Sequence, residues 1–260
     1  MSESDALLSV RGITVRFGGV VALNSISFDV PNGGVCGLIG PNGAGKTTLF
    51  NCLSRLYQYQ EGDLLFEGKS ITNTPVHEIA KLGIGRTFQN LAMFRTMSVE
   101  RNVMVGAHCR SGAGFFRSAL WLPSVRAEEA RTREHAREII DYIGLTPYRN
   151  RAVGDLPFGI QKRVELARAL ASDPKLLLLD EPAAGLNHEE IEGLGNTIRD
   201  ICEKRNTTVF LVEHHMSLVM AVSDHIIAMN FGRKIAEGTP AQIQANPDVI
   251  EAYLGTTAHD

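Results

Sequence analysis

The chain has 260 residues, 44% of them hydrophobic and 21% charged, enough for one large domain or a domain with a subdomain. Its formal net charge of -3 excludes the strong basic excess that marks a nucleic-acid surface. No run of about 18 apolar residues is present to span a bilayer, and MSESDALLSV has no basic stretch ahead of a long apolar core, so no signal peptide is expected.

In chain order, residues 7–17 alternate loosely, with Leu8, Val10, Ile13, Val15 and Phe17 apolar, which predicts a strand. A second strand is predicted over 26–30, closed by the turn cluster Pro31-Asn32-Gly33-Gly34. The apolar run 35–39 suits a strand buried on both faces, and 47–56 has helical character. Between Gln89 and Asp155 no good strand is visible. Residues 126–143 form a charged amphipathic pattern with Ile139, Ile140 and Ile143 on one side. Helix is predicted again over 161–170, strand over 176–179, helix over 189–202 and strand over 208–212. A strand pair over 226–229 and 233–237 surrounds Phe231-Gly232, and 240–254 is helical. Strands alternating with helices predict a mostly parallel sheet. Cys36, Cys52, Cys109 and Cys202 form no C-x-x-C pair and no metal spacing with histidine, so reduced cytosolic thiols are expected.

Gly40-Pro41-Asn42-Gly43-Ala44-Gly45-Lys46-Thr47 matches G-x-x-x-x-G-K-[ST] in full. The glycines let successive backbone N–H groups turn toward phosphate oxygens. The loop opens a helix, whose amino end favours anions. Lys46 can reach the β- and γ-phosphates, and the Thr47 hydroxyl can ligate Mg²⁺. Downstream, Leu176-Leu177-Leu178-Leu179-Asp180-Glu181 is an apolar run ending in two acids. A buried strand delivers such residues to the carboxyl edge of the sheet, where open α/β sheets bind ligands. There Asp180 can hold Mg²⁺ and Glu181 can polarise the water that attacks the γ-phosphorus.

With these motifs in place, the chain resembles the ABC ATPase family over nearly its whole length. Gln89, in Arg86-Thr87-Phe88-Gln89, resembles the glutamine that touches Mg²⁺ and couples to membrane subunits. Leu156-Pro157-Phe158-Gly159-Ile160-Gln161 sits where the family signature belongs, Ala183-Ala184-Gly185-Leu186-Asn187 resembles the D-loop, His214 the switch histidine and Phe17 the aromatic that stacks on adenine. The resemblance implies catalysis by Glu181, His214 and Gln89, and a metal held by Thr47, Gln89 and Asp180. It implies nucleotide contacts from Phe17 and from Gly40 through Thr47 and Thr48, with Leu156, Gly159 and Gln161 acting across a dimer. The signature departs from Leu-Ser-Gly-Gly-Gln: Pro157 stands at the serine, Phe158 at the first glycine and Ile160 at the glutamine, while Gly159 is kept.

Within the family the chain resembles one subfamily in particular, the ATPases of branched-chain amino acid importers, through Arg16-Phe17-Gly18-Gly19, Pro182-Ala183-Ala184-Gly185-Leu186-Asn187, Val212-Glu213-His214 and the tail 246–255. This resemblance implies an α/β P-loop (RecA-like) ATPase core with an amino-terminal antiparallel β part, formed by 1–89 and 160–260. An inserted α-helical subdomain, 90–159, carries the signature at its end. It implies ATP and Mg²⁺ as cofactors and a second ABC ATPase subunit, with a heterodimer favoured over a homodimer. Two integral membrane permease subunits and, indirectly, an extracytoplasmic substrate-binding protein complete the set, at the cytoplasmic face of the inner membrane and with no nucleic acid. The cargo that the resemblance implies is a branched-chain or other hydrophobic amino acid. The stretch 115–122, with the lone Trp121, reads as subdomain core or as an apolar permease-docking patch. The competing readings are a soluble ABC ATPase acting on ribosomes or DNA, against which the single ATPase half and the lack of sustained heptads weigh, the ATPase of an ABC system for another cargo, and a non-hydrolytic nucleotide-sensing or scaffolding protein, against which Glu181, Gln89 and His214 together argue.

Overall fold

The structure, a computed structural model, describes residues 6–87, 93–110 and 123–254. Gln89, the stretch 111–122 with Trp121, and the tail from Gly255 lie outside the described residues. The chain divides into two compact units, Met1–Ile79 with Leu178–Asp260, and Ala80–Leu177.

The larger unit begins with two long strands, β1 (Ala6–Phe17) and β2 (Val20–Pro31), paired antiparallel, with β1 also antiparallel to β4 (Glu61–Phe66). With β5 (Lys69–Ser70) they form a four-stranded sheet in the order β2-β1-β4-β5. β2 starts at Val20, earlier than the apolar pattern predicts. Val20 and Val21 are exposed, and Ser25 takes a positive φ of 53° that breaks the alternation. Alternation reads only the regular half of a strand.

The second, six-stranded sheet includes β3 (Val35–Ile39), β7 (Leu176–Asp180), β8 (Thr208–Val212), β9 (His225–Asn230) and β10 (Arg233–Gly238), in the order β10-β9-β3-β8-β7. β3 pairs parallel with both β8 and β9, while β10 turns back antiparallel on β9. Every residue of β3, β7 and β8 is buried, as continuous apolar runs demand when both faces are covered. Phe210 of β8 stacks on Phe28 of β2 at 5.9 Å and on Phe50 of helix α1 (Lys46–Leu53) at 6.4 Å, tying sheet, sheet and helix into one core. α1 stops at Leu53, short of the predicted 56, because Arg55 takes a left-handed φ of 60°.

Further helices follow in this unit. α6 (His188–Arg205) starts at a capping box: Asn187 accepts from the Glu190 N–H, and Glu190 accepts from the Asn187 N–H. α7 (Met216–Val222) follows β8. The predicted helix over 240–254 is two, α8 (Pro240–Gln244) and α9 (Pro247–Leu254), because Asn246 and Pro247 restart the chain. Met216 and Met220 of α7 face Ile243, Val249 and Tyr253 across an apolar groove.

In the smaller unit β6 (Ile84–Arg86) precedes β7, and the N–H groups of Lys175 and Leu176 both donate to the Gly83 carbonyl. Helices α3 (Val99–Gly106), α4 (Pro123–Tyr142) and α5 (Phe158–Leu170) form the rest. Ile139, Ile140 and Ile143 are buried, as their spacing predicts. Asn102, fully buried, ties the start of α3 to the turn before it, accepting from the Phe94 N–H and donating to the Phe94, Met97 and Ser98 carbonyls. Gly106 permits a close helix contact in this unit. A Cβ there would lie 1.9 Å from the Arg168 carbonyl of α5. α2 (Val76–Leu82) joins the two units in sequence.

Candidate active site

The phosphate-loop sequence leaves β3, the strand between β9 and β8, and enters α1. Gly43 and Gly45 have φ of +79° and +96°, left-handed values that L side chains rarely adopt. Gly45 is also hemmed in, since a Cβ would lie 2.7 Å from the Ala22 carbonyl; around Gly43 nothing lies within 4 Å. The Gly232 N–H donates to the Ala44 carbonyl at 3.0 Å, and Asn24 donates to Gly232 at 2.8 Å, so the β9–β10 turn braces the loop.

Lys46 is buried, and its ammonium donates to the Gly40 carbonyl at 2.6 Å and the Pro41 carbonyl at 3.0 Å. Burial lowers its pKa from the ordinary lysine value, opposed by the charge of Glu181. The cation of the loop and the second acid of the 176–181 motif therefore sense each other. Thr47 is exposed at the first turn of α1 and Thr48 is half-buried beside it.

Asp180 ends β7 with only 2% of its surface exposed. Glu181 follows with φ 47°, and its N–H donates to the Val212 carbonyl at 2.9 Å. That left-handed step turns its side chain to the loop after β8, where Oε1 meets His214 Nε2 at 2.6 Å. The adjacent His215 instead sets Nδ1 against Glu213 at 3.1 Å. The neighbouring histidines thus have different partners, which sequence alone leaves open. The Asp180 carboxylate and the Thr47 hydroxyl are oxygen donors of the kind Mg²⁺ takes.

Phe17 stands half-exposed at the end of β1, edge-on to Tyr57 at 5.7 Å with an interplanar angle of 78°. Leu156, Gly159 and Gln161 belong to the smaller unit. Pro157 caps α5 with φ -53° and no side-chain hydrogen bond, so α5 starts without the hydroxyl a serine would bring. Gln161 holds the turn by donating from its backbone N–H to the Pro157 carbonyl at 3.0 Å and from Nε2 to the Leu156 carbonyl at 2.8 Å. Gln89 lies outside the described residues.

One residue of this neighbourhood has no motif to announce it. The Tyr253 hydroxyl on α9 shares a hydrogen bond with the backbone of Gly40, the first residue of the phosphate loop. Burial nevertheless raises its pKa above the ordinary tyrosine value. A tyrosine in an apolar helix normally reads as core, so no local signal separates it from its neighbours.

The family pattern described as ABC transporter matches residues 23–184, from β2 through Glu181 to Ala184. The chain belongs to this family. A second pattern, branched-chain amino acid ATP-binding cassette transporter, matches residues 233–259, the segment holding β10, α8 and α9. The high-affinity branched-chain amino acid transport ATP-binding protein BraF of Pseudomonas aeruginosa is 44% identical over 97% of this chain and 99% of its own length. LivG of Escherichia coli K12, of the same description, is 43% identical over the same shares. These likenesses place the chain in the branched-chain amino acid transport branch of the family. Among solved structures, the ADP conformation of an ATP-binding cassette of an ABC transporter matches with a TM-score of 0.83 and 33% identity, over 96% of this chain and 99% of that one. The expected cassette fold, α/β with an antiparallel amino-terminal sheet, is the fold observed. No helix among the described residues is long and apolar enough to cross a membrane.

Proposed function

We propose that this chain is the ATP-binding and ATP-hydrolysing subunit of an ABC importer for branched-chain amino acids. The observation that carries the hydrolytic reading is the contact of Glu181 with His214 at 2.6 Å, on the turn beside a buried Lys46. The cargo follows from the relatives' descriptions, since no part of an ATPase subunit need touch it.

In this reading the phosphate-loop N–H groups and Lys46 bind the phosphates, while Phe17 takes the adenine. Thr47 and Asp180, with Gln89, would hold Mg²⁺, which would offset the negative charge of the phosphates. Glu181 accepts hydrogen bonding from the attacking water and aligns it with the γ-phosphorus. His214 holds Glu181 in that orientation and approaches the γ-phosphate. Residues 90–159 form the inserted helical subdomain. Its Leu156, Gly159 and Gln161 close over the nucleotide of a second ATPase subunit, a heterodimer being favoured, and the pair works against two permease subunits at the cytoplasmic membrane face.

The test is the assembled transporter in proteoliposomes with its binding protein. ATP-dependent uptake of labelled leucine, isoleucine or valine is expected, and Glu181→Gln should bind ATP without turning it over. Uptake of none of the three would overturn the cargo. Hydrolysis by Glu181→Gln at the wild-type rate would overturn the assigned base.

A further inference from the structure

Glu213 follows β8 and is 1% exposed. A buried carboxylate is tolerated only when its oxygens are occupied, and both are. Oε1 accepts the Ala183 N–H at 2.7 Å. Oε2 accepts the His214 N–H at 2.8 Å and the His215 N–H at 3.2 Å, and lies 3.1 Å from His215 Nδ1.

These partners come from both sides of the Glu181–His214 contact. Ala183 lies just past Glu181, and His214 is the other member itself. The bonds therefore close a ring. It runs from Glu181 through Pro182 to the Ala183 N–H, across Glu213 to the His214 backbone, and through the imidazole back to Glu181 Oε1. The Glu181 N–H bond to the Val212 carbonyl adds a second tie at its base. Every member sits in the larger unit.

We infer that Glu213 is a positioning residue for hydrolysis: its carboxylate yokes the turn after β7 to the turn after β8 and fixes the Glu181–His214 geometry without touching nucleotide. The inference rests on the reading of Glu181 and His214 as hydrolytic groups. A carboxylate suits the site because three backbone N–H groups, of Ala183, His214 and His215, donate to its two oxygens. An amide offers one oxygen, and its NH₂ would face an N–H on the other side. Glu213→Gln can satisfy His214 and His215 or Ala183, but not both, and Glu213→Asp is too short to reach both.

Displacements on the scale of 1 Å cost about a hundredfold in rate. In the assembled transporter, Glu213→Gln should lower kcat by about that factor while ATP affinity changes less than about threefold, because the phosphate loop is untouched. Amide hydrogen exchange at Ala183 and at His214 should accelerate together. In a His214→Ala background the same change should cause little further loss of kcat, since the group it positions is gone. Should the glutamine variant fail to fold, Glu213→Asp keeps the charge and should show the same kcat-selective loss. Wild-type kcat in either variant, or full multiplication of the losses in the double variant, would overturn the positioning role. If instead Glu181→Gln and His214→Ala themselves turn over normally, the hydrolytic reading fails first.

Discussion

Gly43 and Gly45 allow the packing of the phosphate loop to be separated from its ligand chemistry. Both hold positive φ, yet their surroundings differ: a Cβ on Gly43 meets nothing within 4 Å, while one on Gly45 lies 2.7 Å from the Ala22 carbonyl and 2.9 Å from Leu23 Cδ2. Alanine at either position incurs the left-handed backbone cost of about 1–2 kcal/mol. Only at Gly45 is a steric cost added, about 1–3 kcal/mol for forcing a methyl into packed structure. The nucleotide-free fold should therefore lose about 2–5 kcal/mol in Gly45→Ala but only about 1–2 kcal/mol in Gly43→Ala. At about 2–4 °C per kcal/mol for a chain of this size, the unfolding midpoints should differ by several degrees. The order should reverse for nucleotide. The open side of Gly43 is the side proposed for phosphate oxygens, so Gly43→Ala should weaken ATP binding by about tenfold or more, about 1.4 kcal/mol per decade. Thermal unfolding without nucleotide, beside an equilibrium titration with Mg·ATP, measures both. Equal midpoints in the two variants, or wild-type affinity in Gly43→Ala, would refute the reasoning.

Other perturbations test separate parts of the site. Lys46→Ala should abolish tight ATP binding, measured by the same titration, because the loop loses the cation that now bonds Gly40 and Pro41. Single-turnover hydrolysis by Glu181→Gln should fall at least a hundredfold while nucleotide stays bound, since an amide is a poor base. Glu237 accepts from His225 at 2.9 Å and from Lys234, and these bonds, the His225 bond first, lower its pKa below the ordinary glutamate value. A lowered carboxylate pKa stabilises the fold above the unfolded value and loses that contribution as pH falls through the folded one. Urea unfolding of Glu237→Gln and wild type should thus differ at neutral pH and converge in acid. In a transporter with two different ATPases, Lys46→Ala in this chain should remove more steady-state hydrolysis than the matching change in a partner whose nucleotide is closed by Pro157. Equal losses would show that Gly159 and the start of α5 suffice without a serine.

What the sequence makes legible is whatever lies contiguous along it. The 40–47 loop is a run of residues whose chemistry and spacing are both local, and the strands at 35–39, 176–180 and 208–212 are buried on both faces, so composition alone reveals them. β4 offers no such run: Glu61, Gly62 and Asp63 open it, and its pairing with β1 is what makes it a strand. The break in the carboxyl-terminal helix is visible as Asn246-Pro247, though it reads as a continuation unless proline is taken as a restart. Glu213 and Tyr253 are of a third kind. Their partners, Ala183 and Gly40, are backbone groups distant in sequence, and a backbone N–H leaves no trace in residue type.

The hydrogen bonds that tie Gly232 and Tyr253 to the phosphate loop also bear on how the site comes into being. The loop leaves the ribosome well before the residues that brace it. Until residues beyond β9 emerge, the glycines at 40–45 hold only local bonds, and closing contacts over most of the chain is the slow, entropically costly step of such a topology. Nucleotide affinity is therefore expected to mature only after those residues have emerged. A stalled product ending before β10 would carry the whole phosphate-binding sequence without the finished loop.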